Sequence, residues 1–160
     1  MAKTEQQIKL SQEGFDKLKA ELVQLRSEGR AEIAAKLEEA RAFGDLSENA
    51  EYHAAKEEQE KLEGRILKLE AQLAKAVVID EEDIDTSVVS LGTTVTFEEK
   101  KKEFTYQIVS TEEADIKANP PKISKDTPVG NALLGNAVKA TVTVRTPKGI
   151  RKLKIIKIAK

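Results

Sequence analysis

The 160-residue chain contains no cysteine, no tryptophan, one histidine and one methionine, and only 4% of its residues are aromatic. The absence of cysteine excludes a disulfide framework and any thiolate metal site. No apolar run approaches the ~20 residues that span a bilayer, and the first residues lack the hydrophobic region of a signal peptide. No membrane association is expected, and a cytoplasmic location follows. No nucleophile–base pair, glycine-rich phosphate loop or zinc-ligand spacing is present. What is abundant is charge, at 34% of residues with a formal net of -1. High charge with few aromatics suits a long solvated helical pair better than one large globular core. The length allows one ordinary domain or two small ones.

Residues 1–79 read as a helical hairpin. Ser11 is a plausible N-cap. Apolar residues then follow at Phe15, Leu18, Leu22 and Leu25, spaced three, four, three, which is a coiled-coil seam. It continues through Gly29, Ile33, Leu37 and Ala40. Gly29 costs about 1 kcal/mol against alanine in a helix, and marks either a local bend or a close approach of the partner helix. The run from Ser11 to Phe43 extends roughly 50 Å at 1.5 Å per residue. A second helix is predicted to begin near Ser47, with its seam at Tyr52, Ala55, Gln59, Leu62, Ile66, Leu69, Leu73 and Ala76. Between the two lie Gly44 and Asp45, both turn formers. The helices therefore fold back as an antiparallel coiled coil, and a monomer is expected, because a parallel dimer would not need the turn.

The turn carries Asp45, Glu48 and Glu51. Asp45 reads as a helix N-cap, with Glu48 completing a capping box. Alternatively, the rod exists to deliver these carboxylates elsewhere. Arg41 and Lys56 flank the turn. Arg41 has Asp45 and Glu38 within reach as ion partners, although exposed pairs are worth little. His53 reads as a surface bystander, and a complete metal site made by this chain alone is not expected.

Residues 80–160 read as a small antiparallel β-sheet domain with one short helix. Asp80–Asp83 forms an acidic linker that would permit a hinge. Strands are predicted at Thr93–Phe97, Phe104–Val109, Val138–Arg145 and Ile150–Ile158. Ser110–Thr127 is a long connection, and Pro128–Leu134 forms one or two helical turns stopped by Gly135. Charge is uneven, at -3 over residues 1–79 and +2 over residues 80–160. Arg145, Lys148, Arg151, Lys152, Lys154, Lys157 and Lys160 are unmatched by any acid in the final sixteen residues. This reads as a solvated strand face, or as a patch for an acidic protein partner or for nucleic acid, the latter weak and salt-sensitive.

The stretch Gly44-Asp45-Leu46-Ser47-Glu48-Asn49-Ala50-Glu51-Tyr52-His53-Ala54-Ala55 resembles the tip signature of the bacterial GreA/GreB transcript cleavage factors. Thr127-Pro128-Val129-Gly130-Asn131-Ala132-Leu133-Leu134-Gly135 resembles their second signature. Val89–Val95, Tyr106–Val109 and Glu112–Asp115 also fit, so the resemblance covers nearly the whole chain. Leu46 after Asp45, and Ala50-Glu51-Tyr52, are similar to the GreA branch. Thr127 stands where Ser is usual and Asn136 where many members carry Lys.

The resemblance implies an α+β architecture, with a coiled-coil hairpin followed by an FKBP-like domain. It implies an accessory factor, not an enzyme, that binds bacterial RNA polymerase through its secondary channel. There it would stimulate cleavage of the 3′ end of backtracked nascent RNA. Asp45 and Glu48 would be the catalytic acids, holding a second Mg²⁺ shared with the polymerase. Tyr52 would support the tip, and Arg41 and Lys56 would face the RNA. Pro128, Gly130, Leu133, Leu134 and Gly135 would dock on the polymerase rim. Three other readings compete. One is a channel regulator acting by occupancy. Another is a prolyl isomerase, which would need an aromatic pocket from Phe97, Phe104 and Tyr106. The last is a coiled-coil adaptor without a polymerase link.

Overall fold

The computed structural model describes residues 6–45 and 47–160. Leu46, on which the branch resemblance partly rests, and the first five residues, where no signal segment is expected, lie outside the described residues. The chain divides into two compact units. One holds residues 15–76, and the other joins residues 7–14 to residues 77–160.

The first unit is built from three helical stretches. Helix α1 (Gln12–Gln24) passes through a π-helical turn at Leu25–Gly29 into α2 (Arg30–Arg41), and α3 (Ala50–Lys75) returns. The predicted seam is the buried one: Leu18, Leu22, Ile33, Leu37 and Ala40 face inward from the outgoing arm, and Ala55, Ile66 and Leu69 from the returning arm. Gly29 ends the π turn, and a Cβ there would stand 3.1 Å from Leu62 Cδ1. The glycine thus serves both purposes its sequence position suggests, a helix irregularity and a close approach. Ion pairs across the arms reinforce the register. Arg30 meets Glu63 through two bonds of 2.9 Å, Arg65 meets Glu21 at 2.7 and 2.9 Å, and Lys36 meets Glu58 at 2.6 Å. Arg26 pairs with Glu70. Exposed pairs add little stability each; their consequence is that sliding the helices by one turn breaks all of them together.

In the second unit, β1 (Ile8–Leu10) and β2 (Ala76–Val78) form a two-stranded sheet. Sequence patterning does not reveal it, since three-residue strands are too short to show alternation. Ser11 caps α1 as predicted, its Oγ accepting from Gly14 N at 3.0 Å. The main sheet contains β3 (Thr94–Glu99), β4 (Lys102–Val109), β5 (Lys122–Ser124), β6 (Thr141–Thr146) and β7 (Gly149–Ala159), in the order β5-β4-β3-β7-β6. All neighbours are antiparallel except β4 and β5, which run parallel. Strand β5 lies within the stretch expected to be a plain connection. Lys100 and Lys101 link β3 to β4 with φ of 50° and 64°, a two-residue turn of the kind that suits twisted hairpins. Its usual Asn-Gly signal is missing, so the turn is tighter than predicted.

Alternation places Val95, Phe97, Leu153, Ile155, Val142 and Val144 on the face that packs, with Leu133 from α4 (Pro128–Leu133) and Ile108. Phe97 stacks on Phe104 at a centroid distance of 5.7 Å and lies 5.6 Å from Tyr106. Phe97 is wholly buried, so this aromatic group serves as core.

Candidate functional site at the hairpin turn

The turn begins as α2 tightens. Ala42 N donates to the Glu39 carbonyl at 3.1 Å, Phe43 N to Ala40 at 3.2 Å and Gly44 N to Arg41 at 3.3 Å. Three successive bonds of this short span give the last carbonyls of the helix a partner. Gly44 then adopts φ +107°, a left-handed conformation that favours glycine. Nothing lies within 4 Å of a Cβ built there, so the requirement is conformational rather than steric.

The predicted start of the second helix requires correction. Helix α3 begins at Ala50, and its N-cap is Asn49, whose side chain accepts from Tyr52 N at 3.0 Å. The same side chain donates through Nδ2 to the Ala40 carbonyl at 2.6 Å. An amide can accept from one helix and donate to the other; an ionised carboxylate can only accept. This is why Asn49, rather than Asp45, holds the junction. The capping box Asp45–Glu48 does not form.

Asp45 instead closes a local turn, its Oδ1 accepting from Ser47 N at 3.0 Å and from Ser47 Oγ at 2.8 Å. The Ser47 amide, and then its hydroxyl, hold the Asp45 carboxyl below its ordinary value, because both bonds favour the charged form. Oδ2 makes no hydrogen bond among the described residues. Glu48 and Glu51 are exposed, and among the described residues neither carboxylate makes a hydrogen bond or an ion pair. The anticipated pairing of Arg41 with Asp45 or Glu38 is absent from the described residues, so this guanidinium faces solvent. Lys56 donates to Gln59 Oε1 at 3.2 Å.

Tyr52 is half-buried against the cluster of Ile33, Leu37 and Ala55. It anchors the turn to the hairpin core. His53 sits edge-on to it at 6.0 Å, with Nε2 3.3 Å from the Ser47 carbonyl. Sequence reasoning missed the roles of Asn49 and Ser47. Asn immediately before a helical pattern is a strong cap signal, and it was available.

The second signature has a different character. Thr127 caps α4, accepting from Gly130 N at 3.0 Å, so its hydroxyl performs what Ser would. Asn136 Nδ2 donates to the Ala132 carbonyl at 2.8 Å, closing the other end of that helix. Gly130 is buried, and a Cβ there would collide with the Ser124 carbonyl. Leu133 is also fully buried, Leu134 half-buried, and Pro128 and Gly135 exposed. Of the basic C-terminal residues, Arg151 is drawn into a two-bond pair with Glu99 at 2.8 and 2.7 Å. Lys152, Lys154 and Lys157 remain exposed.

Two features define the class: a helical hairpin whose turn presents carboxylates excused from capping, and a mixed sheet unit that follows it in sequence. Comparison with known proteins narrows this further. The family model for the transcription elongation factor N-terminal domain matches residues 8–78, and the GreA/GreB C-terminal model matches residues 84–160. The chain belongs to the GreA/GreB family of transcription elongation factors. It is 47% identical over 158 residues to the transcription elongation factor GreA of Syntrophomonas wolfei, covering 98% of each chain. It is 52% identical over 151 residues to that of Caldanaerobacter subterraneus, covering 93% of this chain and 95% of the relative. Among solved structures, the GreA factor homolog 1 (Gfh1) protein of Thermus thermophilus is 32% identical, with a TM-score of 0.45, covering 97% of this chain and 100% of that one. No helix among the described residues is long and apolar enough to cross a membrane.

Proposed function

We propose that this chain binds bacterial RNA polymerase through its secondary channel and stimulates cleavage of the 3′ end of backtracked RNA, acting as an accessory to the polymerase's own nuclease activity. The observation that carries the reading is the state of the turn acids. Asp45 accepts from Ser47 through one oxygen, the other makes no hydrogen bond among the described residues, and Glu48, three residues on, is exposed.

These residues fit a share in a Mg²⁺ site. Mg²⁺ takes one or two carboxylates and keeps several waters. Among the described residues no group of three or more acidic, histidine or cysteine side chains converges as a metal site, so two acids would complete a site whose other ligands belong to the polymerase. A second ion bound there would activate water and stabilise charge in phosphodiester hydrolysis. Asp45 would supply Oδ2 while Oδ1 stays fixed by Ser47, and Glu48 would supply a second anionic donor. Tyr52 holds the turn in place, and Arg41, without a side-chain partner among the described residues, would draw the RNA phosphates together with Lys56.

The exposed Pro128 and Gly135 would meet the polymerase rim, while the buried Gly130 and Leu133 shape the loop that presents them. Lys152, Lys154 and Lys157 would give weak, salt-sensitive binding to nucleic acid. The test is a backtracked elongation complex with Mg²⁺ and 3′-labelled RNA. Wild-type chain should release short 3′ fragments, and Asp45→Asn with Glu48→Gln should not. Equal release by both would refute the carboxylate role. Arrest or inhibition without cleavage by either would favour action by channel occupancy.

A further inference from the structure

Of the six aromatic side chains, five are buried or half-buried, and Phe43 alone is exposed, at 67%. It sits in the hairpin turn, two residues after Arg41 and two before Asp45. Its backbone is fixed. Phe43 N donates to Ala40, the flanking amides of Ala42 and Gly44 make the same short bonds, and Asn49 Nδ2 ties the Ala40 carbonyl to the second helix. The ring itself packs no core. Isolated apolar side chains on a surface are ordinary. Here, however, an exposed aromatic on a hydrogen-bonded backbone shares its turn with a guanidinium that has no side-chain partner among the described residues. An exposed aromatic ring and a cation presented from one turn are what unpaired nucleotides bind, the ring taking the base and the cation the phosphate.

We infer that Phe43 is a stacking platform for an unpaired nucleobase near the 3′ end of the RNA, placing the adjacent phosphodiester before Asp45 and Glu48. This rests on the cleavage reading given above and assigns Phe43 a positioning role within it. The ring would not touch the reacting atoms. Stacking on one face would restrict the nucleotide's rotation, while Arg41 holds its phosphate. Bases stack on aromatic rings with little sequence preference, so the device would act on any transcript.

The experiment uses the full chain on two backtracked complexes. In one the extruded 3′ nucleotide carries its base; in the other it is abasic. Wild type should cleave the base-bearing RNA about tenfold faster, the order expected for one aromatic–base stack. Phe43→Ala should slow cleavage of the base-bearing RNA to the abasic rate, leave the abasic rate unchanged, and be rescued by Phe43→Trp. Equal slowing on both RNAs would overturn the inference and point to a contact between the ring and protein. No slowing on either would overturn it as well. The Asp45→Asn, Glu48→Gln variant run alongside separates the two claims. If wild type outpaces that variant while Phe43→Ala matches wild type, only the stacking role fails. If that variant matches wild type, the cleavage reading fails first.

Discussion

The two signature segments of this chain solve the same local problem in opposite ways. At α4, Thr127 caps the helix, Asn136 closes its far end, Gly130 lies against the Ser124 carbonyl and Leu133 is wholly enclosed. Nearly every distinctive residue there is committed to structure. At the hairpin turn a single side chain, Asn49, performs the junction work for both helices. Glu48, Glu51 and Arg41 are thereby released from structural duty, and Asp45 keeps only its local turn with Ser47. A polar cluster that the fold does not need is where function should be sought, whereas an equally distinctive segment that the fold consumes can act only by presenting its exposed neighbours.

This contrast can be broken by substitution. The largest stability effect should come from Leu133→Ala, about 2–5 kcal/mol of lost stability in the sheet unit, read by urea unfolding. Gly130→Ala should follow at about 1–3 kcal/mol, since its new Cβ must displace backbone. Asn49→Ala should cost about 1 kcal/mol through the lost cap, seen as faster amide exchange at Tyr52 and His53, while Asp45→Ala should leave those amides protected. If Asp45→Ala frayed α3 as Asn49→Ala does, the division of labour at the turn would be wrong.

The smallest effect is electrostatic. Ser47→Ala removes the hydroxyl that helps hold the Asp45 carboxyl below its ordinary value, so the Asp45 pKa should rise towards that value in a carboxyl NMR titration. The sign follows from linkage. A carboxylate depressed in the folded state favours the folded turn above its unfolded pKa, and loses that contribution as pH falls through its folded pKa. The turn should therefore loosen at a slightly higher pH in the variant than in wild type.

Much of this was legible in the sequence because it depends on periodicity. The three-four spacing from Phe15 to Ala40 and from Tyr52 to Ala76 identified the buried seam, and alternation in residues 141–158 identified two strands. The turn acids were legible as a cluster in the turn; the chemistry given to them rests on the family resemblance. Where reading failed, the structure depends on something other than pattern. Strands β1, β2 and β5 are three residues long and are held by pairing with distant partners. Lys100 and Lys101 occupy a turn that glycine or asparagine normally marks. The strand expected from Val138 starts only at Thr141, after Lys139 takes φ +73°. The misplaced cap arose because Asp45 and Asn49 both satisfy the local preference. The choice between them lies in the Ala40 carbonyl, which sits in another helix and is invisible to a local rule.

The most direct test of the central claim is the Mg²⁺ dependence of RNA cleavage in a backtracked complex, measured with wild-type chain and with Asp45→Asn plus Glu48→Gln at saturating factor. If the freed carboxylates hold a shared ion, wild type should cleave at low Mg²⁺. The variant should then be slower by about 100-fold or more, as loss of several kcal/mol of transition-state stabilisation requires, with part of the rate recovered at high Mg²⁺. Superimposable Mg²⁺ curves for the two proteins would contradict the account and leave the turn acids without a chemical role.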